Sequence, residues 1–156
     1  MKWLQFQTPE QLQPATALPY VNNFQFNDAT SVSERWKVAL TATIEDGMLQ
    51  LQIPAFIPTE KMAAPAWTKH VECTVAAASC NCKDSIGNGS SVHVFTIPYN
   101  KRENAAQTIQ LPVAMPPGSL VVAAVSLTYY VTKNGKQMAT DNVAFMPAGI
   151  VEAMYV

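Results

Sequence analysis

The sequence predicts an all-β protein: a two-sheet antiparallel sandwich, immunoglobulin- or fibronectin-like, with an extended N-terminal arm. About eight short strand-like runs follow one another at intervals of roughly 10–20 residues, and no convincing amphipathic helix lies between them. Charged residues make up only 13% of the chain and there are 11 prolines, which suits many short strands separated by breaks. At 156 residues the chain fits one domain. We predict an arm over residues 1–18 and a sandwich domain over residues 19–156.

The stretch from Leu120 to Phe145 carries the strongest local signal. Two strand-like runs flank Asn134-Gly135, and Asn-Gly is the pair best suited to a type I′ turn, because both central residues need positive φ. The first run is apolar on both faces at residues 120–125, so it is predicted to lie in the middle of a sheet.

The strands before this hairpin are weaker but regular. A short strand is predicted over residues 20–26. A longer one is predicted over residues 36–44, where Trp36 alternates in phase with Val38 and Leu40 and is interpreted as a core residue. Asp46-Gly47 is predicted to turn this strand into a return strand over residues 49–53.

The chain then leaves the sheet, because Pro54 and Pro58 cannot donate to a ladder. The remaining predictions are one helical turn over residues 60–64, a strand over residues 71–80, a polar loop over 81–91, strands over 92–97 and 108–113, a turn at 116–118, and a last strand over 150–156.

Two parts of the chain also resemble a known family. The first runs from Trp36 to His70 and includes the proline-bounded residues 49–58 and Ala64-Pro65-Ala66. The second runs from Leu127 to Lys136 and continues through Asn142-Val-Ala-Phe145 to the apolar end. Together they are similar to a family of small uncharacterised proteins from Bacteroidetes, over roughly residues 32–156. The resemblance implies a β-sandwich and transfers no catalytic residue.

Composition argues against several classes of function. The formal net charge is −1 and no basic run is present, so we expect neither a nucleic-acid surface nor docking to anionic membranes. No apolar stretch approaches the roughly 20 residues of a membrane span. Residues 5–13 are too polar for the core of a signal peptide. We therefore expect synthesis in the cytoplasm, with the final location, particle and extracellular sites included, left open.

No constellation indicates an enzyme, a metal or a cofactor. Cys73 and Cys80 lie about 23 Å apart on an extended strand, and C-x₆-C-x-C is not a zinc spacing. Cys80 and Cys82 lie at the outer limit of the distance for a disulfide, so three free thiols are predicted. His93 is interpreted as a polar-face histidine, and no nucleophile elbow or phosphate-binding loop is present.

Two hypotheses of function follow. The first is a non-enzymatic structural or interaction module that assembles with itself or with a protein partner, a class that includes virion and extracellular-particle components. The second is a carbohydrate-binding module with exposed aromatics, for which Trp36, Trp67, Tyr129 and Tyr130 are the candidates. One of the two adjacent tyrosines must face away from the core.

The apolar end of the chain supports the first hypothesis. The last strand either pairs with the sheet that holds residues 71–77 or forms an open edge. The arm is a candidate cover for that edge, in its own subunit or in a neighbour. The predicted interaction residues are Trp3, Leu4, Phe6, Tyr130, Met154 and Val156.

Overall fold

The structure, a computed structural model, describes residues 14–84 and 86–156. It confirms the predicted all-β fold, because the described residues form eight strands in two antiparallel sheets. The strands are β1 (Thr41–Glu45), β2 (Met48–Ile53), β3 (Thr68–Asn81), β4 (Ile86–Pro98), β5 (Gln107–Pro112), β6 (Leu120–Lys133), β7 (Lys136–Ala139) and β8 (Ala148–Tyr155). The helices are α1 (Pro14–Val21), α2 (Val32–Arg35) and α3 (Pro58–Lys61), with a 3₁₀ turn at Val143–Phe145.

One sheet has three strands and the other has five. The smaller sheet has the order β1-β2-β5. In the larger sheet, β4 pairs with β3 and β3 pairs with β6, while β7 and β8 both pair along the other side of β6. β8 lies beside residues 120–126 of β6 and β7 beside residues 130–133. Residues 120–125, which are apolar on both faces, therefore belong to a strand in the middle of the larger sheet, as predicted.

The hydrophobic core lies between the facing surfaces of the two sheets. Along β3 and β6, buried and half-buried residues alternate, as expected for strands with one face toward a core. Trp36 is 1% exposed and packs into this core, which confirms its interpretation. The fully buried side chains include Leu49, Leu51, Val71, Val75, Val121, Val125 and Tyr129.

Both predicted hairpin turns are present with the backbone of type I′ turns. The φ angles are 51° and 73° at Asp46 and Gly47, and 51° and 75° at Asn134 and Gly135. The return strand after the second turn is shorter than predicted. β7 ends at Ala139, and Asn142 then accepts a hydrogen bond from the Ala144 amide to begin the 3₁₀ turn.

The prediction of an extended arm is wrong for its last part. Residues 14–18 belong to α1, which begins at Pro14, and proline suits the first turn of a helix because the amide there has no intrahelical partner. The strand predicted over residues 20–26 is likewise reduced to a single bridge at Gln25. Residues 1–13, with the predicted interaction residues Trp3, Leu4 and Phe6, lie outside the described residues.

The strand predicted over residues 36–44 begins only at Thr41. Ser31 and Glu34 form a capping box at the start of α2, and Trp36 ends that helix by donating its amide to the Val32 carbonyl. The polar loop predicted over residues 81–91 is also shorter, since β4 begins at Ile86. The helical turn predicted over residues 60–64 occurs slightly earlier, as α3.

The last strand joins the sheet that holds residues 71–77, which was one of the two alternatives. β8 pairs with β6, and its other side is occupied by residues 24–26 of the same chain. The Ile150 amide donates to the Phe24 carbonyl and the Phe26 amide to the Ala148 carbonyl, both at 2.8 Å. Within the described residues, no helix is long and apolar enough to cross a membrane.

Candidate functional site

The cysteines do not form a metal centre in the described part of the chain. Cys73 is buried in the core, and the Sγ atoms of Cys80 and Cys82 lie 3.7 Å apart at the end of β3. All three cysteines are free thiols, and the register of β3 on β4 shifts between Ser79 and Cys80. No three histidine, cysteine or carboxylate side chains of residues 14–84 and 86–156 come together as metal ligands.

Burial makes the thiols of Cys73 and Cys80 poor nucleophiles. It raises the pKa of Cys73 from 9.0 to about 12. The pKa of Cys80 rises to about 11, first through burial and then through its contact with Cys82. Because the thiolate is the reactive form, both groups are disfavoured as catalytic residues near neutral pH.

The raised pKa of Cys73 predicts a loss of stability in alkaline solution. The folded state keeps the thiol neutral, so its contribution is complete below the ordinary pKa near 9 and is lost as the pH rises toward 12. We expect the free energy of unfolding to fall by about 1.4 kcal/mol per pH unit from this thiol above that point. Cys73→Ala should flatten the slope, measured by urea unfolding at several pH values above 8.

The control for this measurement is Val75→Ala, two residues further along the same buried face of β3. It should lower stability by a similar amount at every pH, because valine has no proton to lose. An alkaline slope that is unchanged in Cys73→Ala would contradict the prediction.

The predicted interaction residues in the described range lie in two places, on β6 and at the end of β8. Tyr130 is half-buried on the solvent side of the larger sheet and stacks on His70, with ring centroids 4.6 Å apart. Met154 packs against the core. Val156 is 38% exposed, and its backbone is held by Gly118 and Ser119. Met154 and Val156 are two residues apart at the end of β8, whereas Tyr130 pairs with His70 of β3 and Ala139 of β7. The role of these residues in interactions stays a prediction.

The described residues show no row of aromatic side chains that would serve as a sugar platform. Of the four candidates, Trp36 and Tyr129 are buried and Tyr130 is half-buried, which leaves Trp67 as the exposed one. Trp67 is 78% exposed and has a φ of 67°, which is rare for a bulky residue. The carbohydrate hypothesis therefore depends on this single tryptophan.

A different surface emerges at β4, the outermost strand of the larger sheet. The Tyr99 amide donates to the Lys69 carbonyl of the preceding hairpin arm at 3.0 Å. In an antiparallel pair, both backbone groups of one residue point to the same neighbour and those of the next residue point away. Counting back from Tyr99, the odd-numbered residues 91–97 bond to β3. The backbone groups that point away from β3 belong to Ser90, Val92, Val94 and Thr96.

We call the outward backbone groups of these four residues the β4 edge. Within the described residues, no backbone hydrogen bond reaches them from another segment. Pro98 agrees with this geometry, because it pairs with His70 at a position where no amide is needed for the β3 ladder. Free amides and carbonyls in a row form a template for another strand.

The side chains of β4 also favour association of this edge with another strand. Val92 and Val94 are 62% and 51% exposed on the solvent side of the sheet. No Asp, Glu, Lys or Arg occurs anywhere in β4, although charges are the usual device that blunts an edge. On the neighbouring strand β3, the same face of the sheet carries half-buried Thr74, Ala76 and Ala78. The side chains next to Val92 and Val94 are therefore small.

The other edges of the larger sheet are protected. Residues 24–26 cover the edge of β8 at residues 148–150, and the Asn22 amide group donates to the Glu152 carboxylate at 3.3 Å just beyond them. β7 has only four residues and begins at Lys136. Within the described part of this sheet, β4 is therefore the long edge that has neither a cover nor a charge.

The sequence predicted a strand at residues 92–97 but did not identify it as an edge. The composition gave no such signal, because β4 carries no charge from Ile86 to Pro98 and charges are the usual mark of an edge strand. Gly87 and Gly89 fall within the loop predicted over residues 81–91, whereas in the structure both belong to β4.

Comparisons of the chain with protein-family models, curated proteins and solved structures found no match. The similarity to the Bacteroidetes family therefore stays a prediction.

Proposed function

We propose that this protein is a non-enzymatic interaction module that binds an extended strand along the β4 edge. The observation that carries the proposal is the row of outward backbone groups at Ser90, Val92, Val94 and Thr96, which is uncovered in the described residues. Addition of a strand to a sheet edge is a recurring mode of protein recognition, in which main-chain hydrogen bonds supply affinity. Assembly into a viral or extracellular particle is one setting for such a module.

The exposed valines support the same function. An incoming strand would bring its own side chains beside Val92 and Val94 and remove their surface from water. Burial of apolar area stabilises a complex by about 25 cal/mol per Å² before the costs of association. The absence of charge in β4 means that no ion has to be desolvated along the contact.

A synthetic peptide with the sequence of residues 88–97 tests the proposal. Such a peptide can pair with the edge, and hydrogen exchange reports the amides of Ser90, Val92, Val94 and Thr96 individually by NMR. We expect these amides to become protected as the concentration of the peptide, or of the protein itself, increases. The control is the same peptide with proline at the positions of Val92 and Val94, which removes two donors.

Two results would contradict the function. Rapid exchange of the four amides at all concentrations would show that no strand binds. Protection that is independent of both concentrations would show that the edge is already covered within one chain.

A further inference from the structure

We infer that the strand that occupies the β4 edge is β4 of a second copy of this chain, antiparallel and related by a two-fold axis at His93. This inference depends on the proposed function, because it names the partner of the same edge. It would join two five-stranded sheets into one continuous sheet across the axis.

The register follows from the positions of the outward groups. A symmetric antiparallel pair of β4 strands must match outward residues with outward residues, because only those have free donors and acceptors. One register uses all four: it pairs Ser90 with Thr96 and Val92 with Val94 in both directions. That register places His93 opposite the His93 of the partner subunit, in a pair without hydrogen bonds.

Charge explains why a second copy fits this edge. A symmetric pair places each side chain opposite its own kind or a near neighbour, so a charged edge repels itself. β4 has no carboxylate, ammonium or guanidinium group, and the formal net charge of the chain is only −1. Two copies can therefore approach without repulsion between carboxylate, ammonium or guanidinium groups of β4, with Val92 beside Val94 on either side of the axis.

The shape of the solvent face at β4 also suits contact with a second copy. Val92 and Val94 lie on the solvent face, and in this register Val92 of one copy is beside Val94 of the other at two equivalent places. Both side chains would lose exposed area that a single subunit leaves in water. On this face the neighbouring residues of β3 are small, with Ala76 beside Val92 and Thr74 beside Val94.

Native mass over a range of concentrations is the first test. We expect a dimer, twice the 17.0 kDa mass of the chain. Val94→Lys should give a monomer, because it places a charge near the centre of the interface between the two β4 strands. Val94→Pro should do the same by removing an outward amide, while the bonds of β4 to β3 remain. The control is Val143→Lys, which changes a 61% exposed valine on the 3₁₀ turn and should remain dimeric.

The register is tested by cross-linking. In pairs without hydrogen bonds the Cα atoms are about 4.5 Å apart, within the range of disulfides. With Cys80 and Cys82 changed to serine, His93→Cys should form an intermolecular disulfide in oxidised glutathione, which accepts the two electrons. Ser91→Cys should not, because Ser91 is opposite Phe95 in this register.

The results separate this inference from the proposed function. A monomer whose edge amides are protected by the peptide would overturn the two-fold dimer and leave the function standing. A dimer that survives Val94→Lys and Val94→Pro, or that cross-links through position 91 instead of 93, would overturn the inference as well.

Discussion

Replacing Trp36 by alanine is expected to lower the free energy of unfolding by about 3–5 kcal/mol, the range for large buried aromatics. Trp36 is 1% exposed, and its ring lies 5.5 Å from the ring of Phe56. Its indole Nε1 is buried without a hydrogen-bond partner in the described residues. Trp36→Phe should therefore lose less, because it removes that unsatisfied donor along with part of the ring.

Trp67→Ala is the matched control for this experiment. Trp67 is 78% exposed, so its loss should change stability by no more than about 0.5 kcal/mol. Guanidinium denaturation followed by far-UV circular dichroism avoids the change in tryptophan fluorescence. Equal destabilisation by the two alanine variants would contradict the assignment of Trp36 to the core.

Gly149→Ala is expected to lower the free energy of unfolding by about 2–4 kcal/mol, from overpacking and lost hydrogen bonds. A Cβ at this position would lie 2.5 Å from Oε1 of Gln25 and 2.6 Å from its Cδ and Nε2. The Gln25 side chain cannot move away without cost. Its Oε1 accepts from the Val32 amide at 3.0 Å, and its Nε2 donates to the Asn23 carbonyl at 2.9 Å.

A double-mutant cycle isolates this contact. Gln25→Ala should lose the two hydrogen bonds but make room at Gly149, so the double variant should be about as stable as Gln25→Ala by itself. Gly87→Ala is the control, because a Cβ there meets nothing within 4 Å. Strictly additive losses, measured by urea unfolding, would contradict the model of a Gln25 side chain wedged against Gly149.

The sequence predicted the strands that have one buried face and the turns that require positive φ. β3, β6 and both hairpin turns fall in this group, because alternation of apolar residues and the Asn-Gly and Asp-Gly pairs are local signals. The predictions failed where a cap competed with a strand. Ser31 and Glu34 form a capping box that begins α2, and Trp36 is the C-cap of this helix. The apolar alternation from Trp36 onward had instead predicted a strand.

The candidate site could not be predicted because it depends on strand order. Val92 and Val94 look like ordinary strand residues, and nothing local distinguishes an edge strand from an internal one of the same composition. The assignment required the register of β4 on β3 and the observation that β5 belongs to the other sheet. In contrast, the cover on β8 combines distant parts of the chain, and no short-range pattern in residues 24–26 indicates it.

The cover on β8 has a consequence for the kinetics of folding. Asn22 and Glu152 are 130 residues apart, whereas β3 and β4 form a hairpin between neighbours in sequence. Closing a long loop costs more entropy than closing a short one, so local hairpins form early and distant pairings late. We therefore expect residues 24–26 to dock after the larger sheet has formed. Until they do, the refolding chain has two open strand edges, at β4 and at β8, and during that interval it is most prone to aggregation.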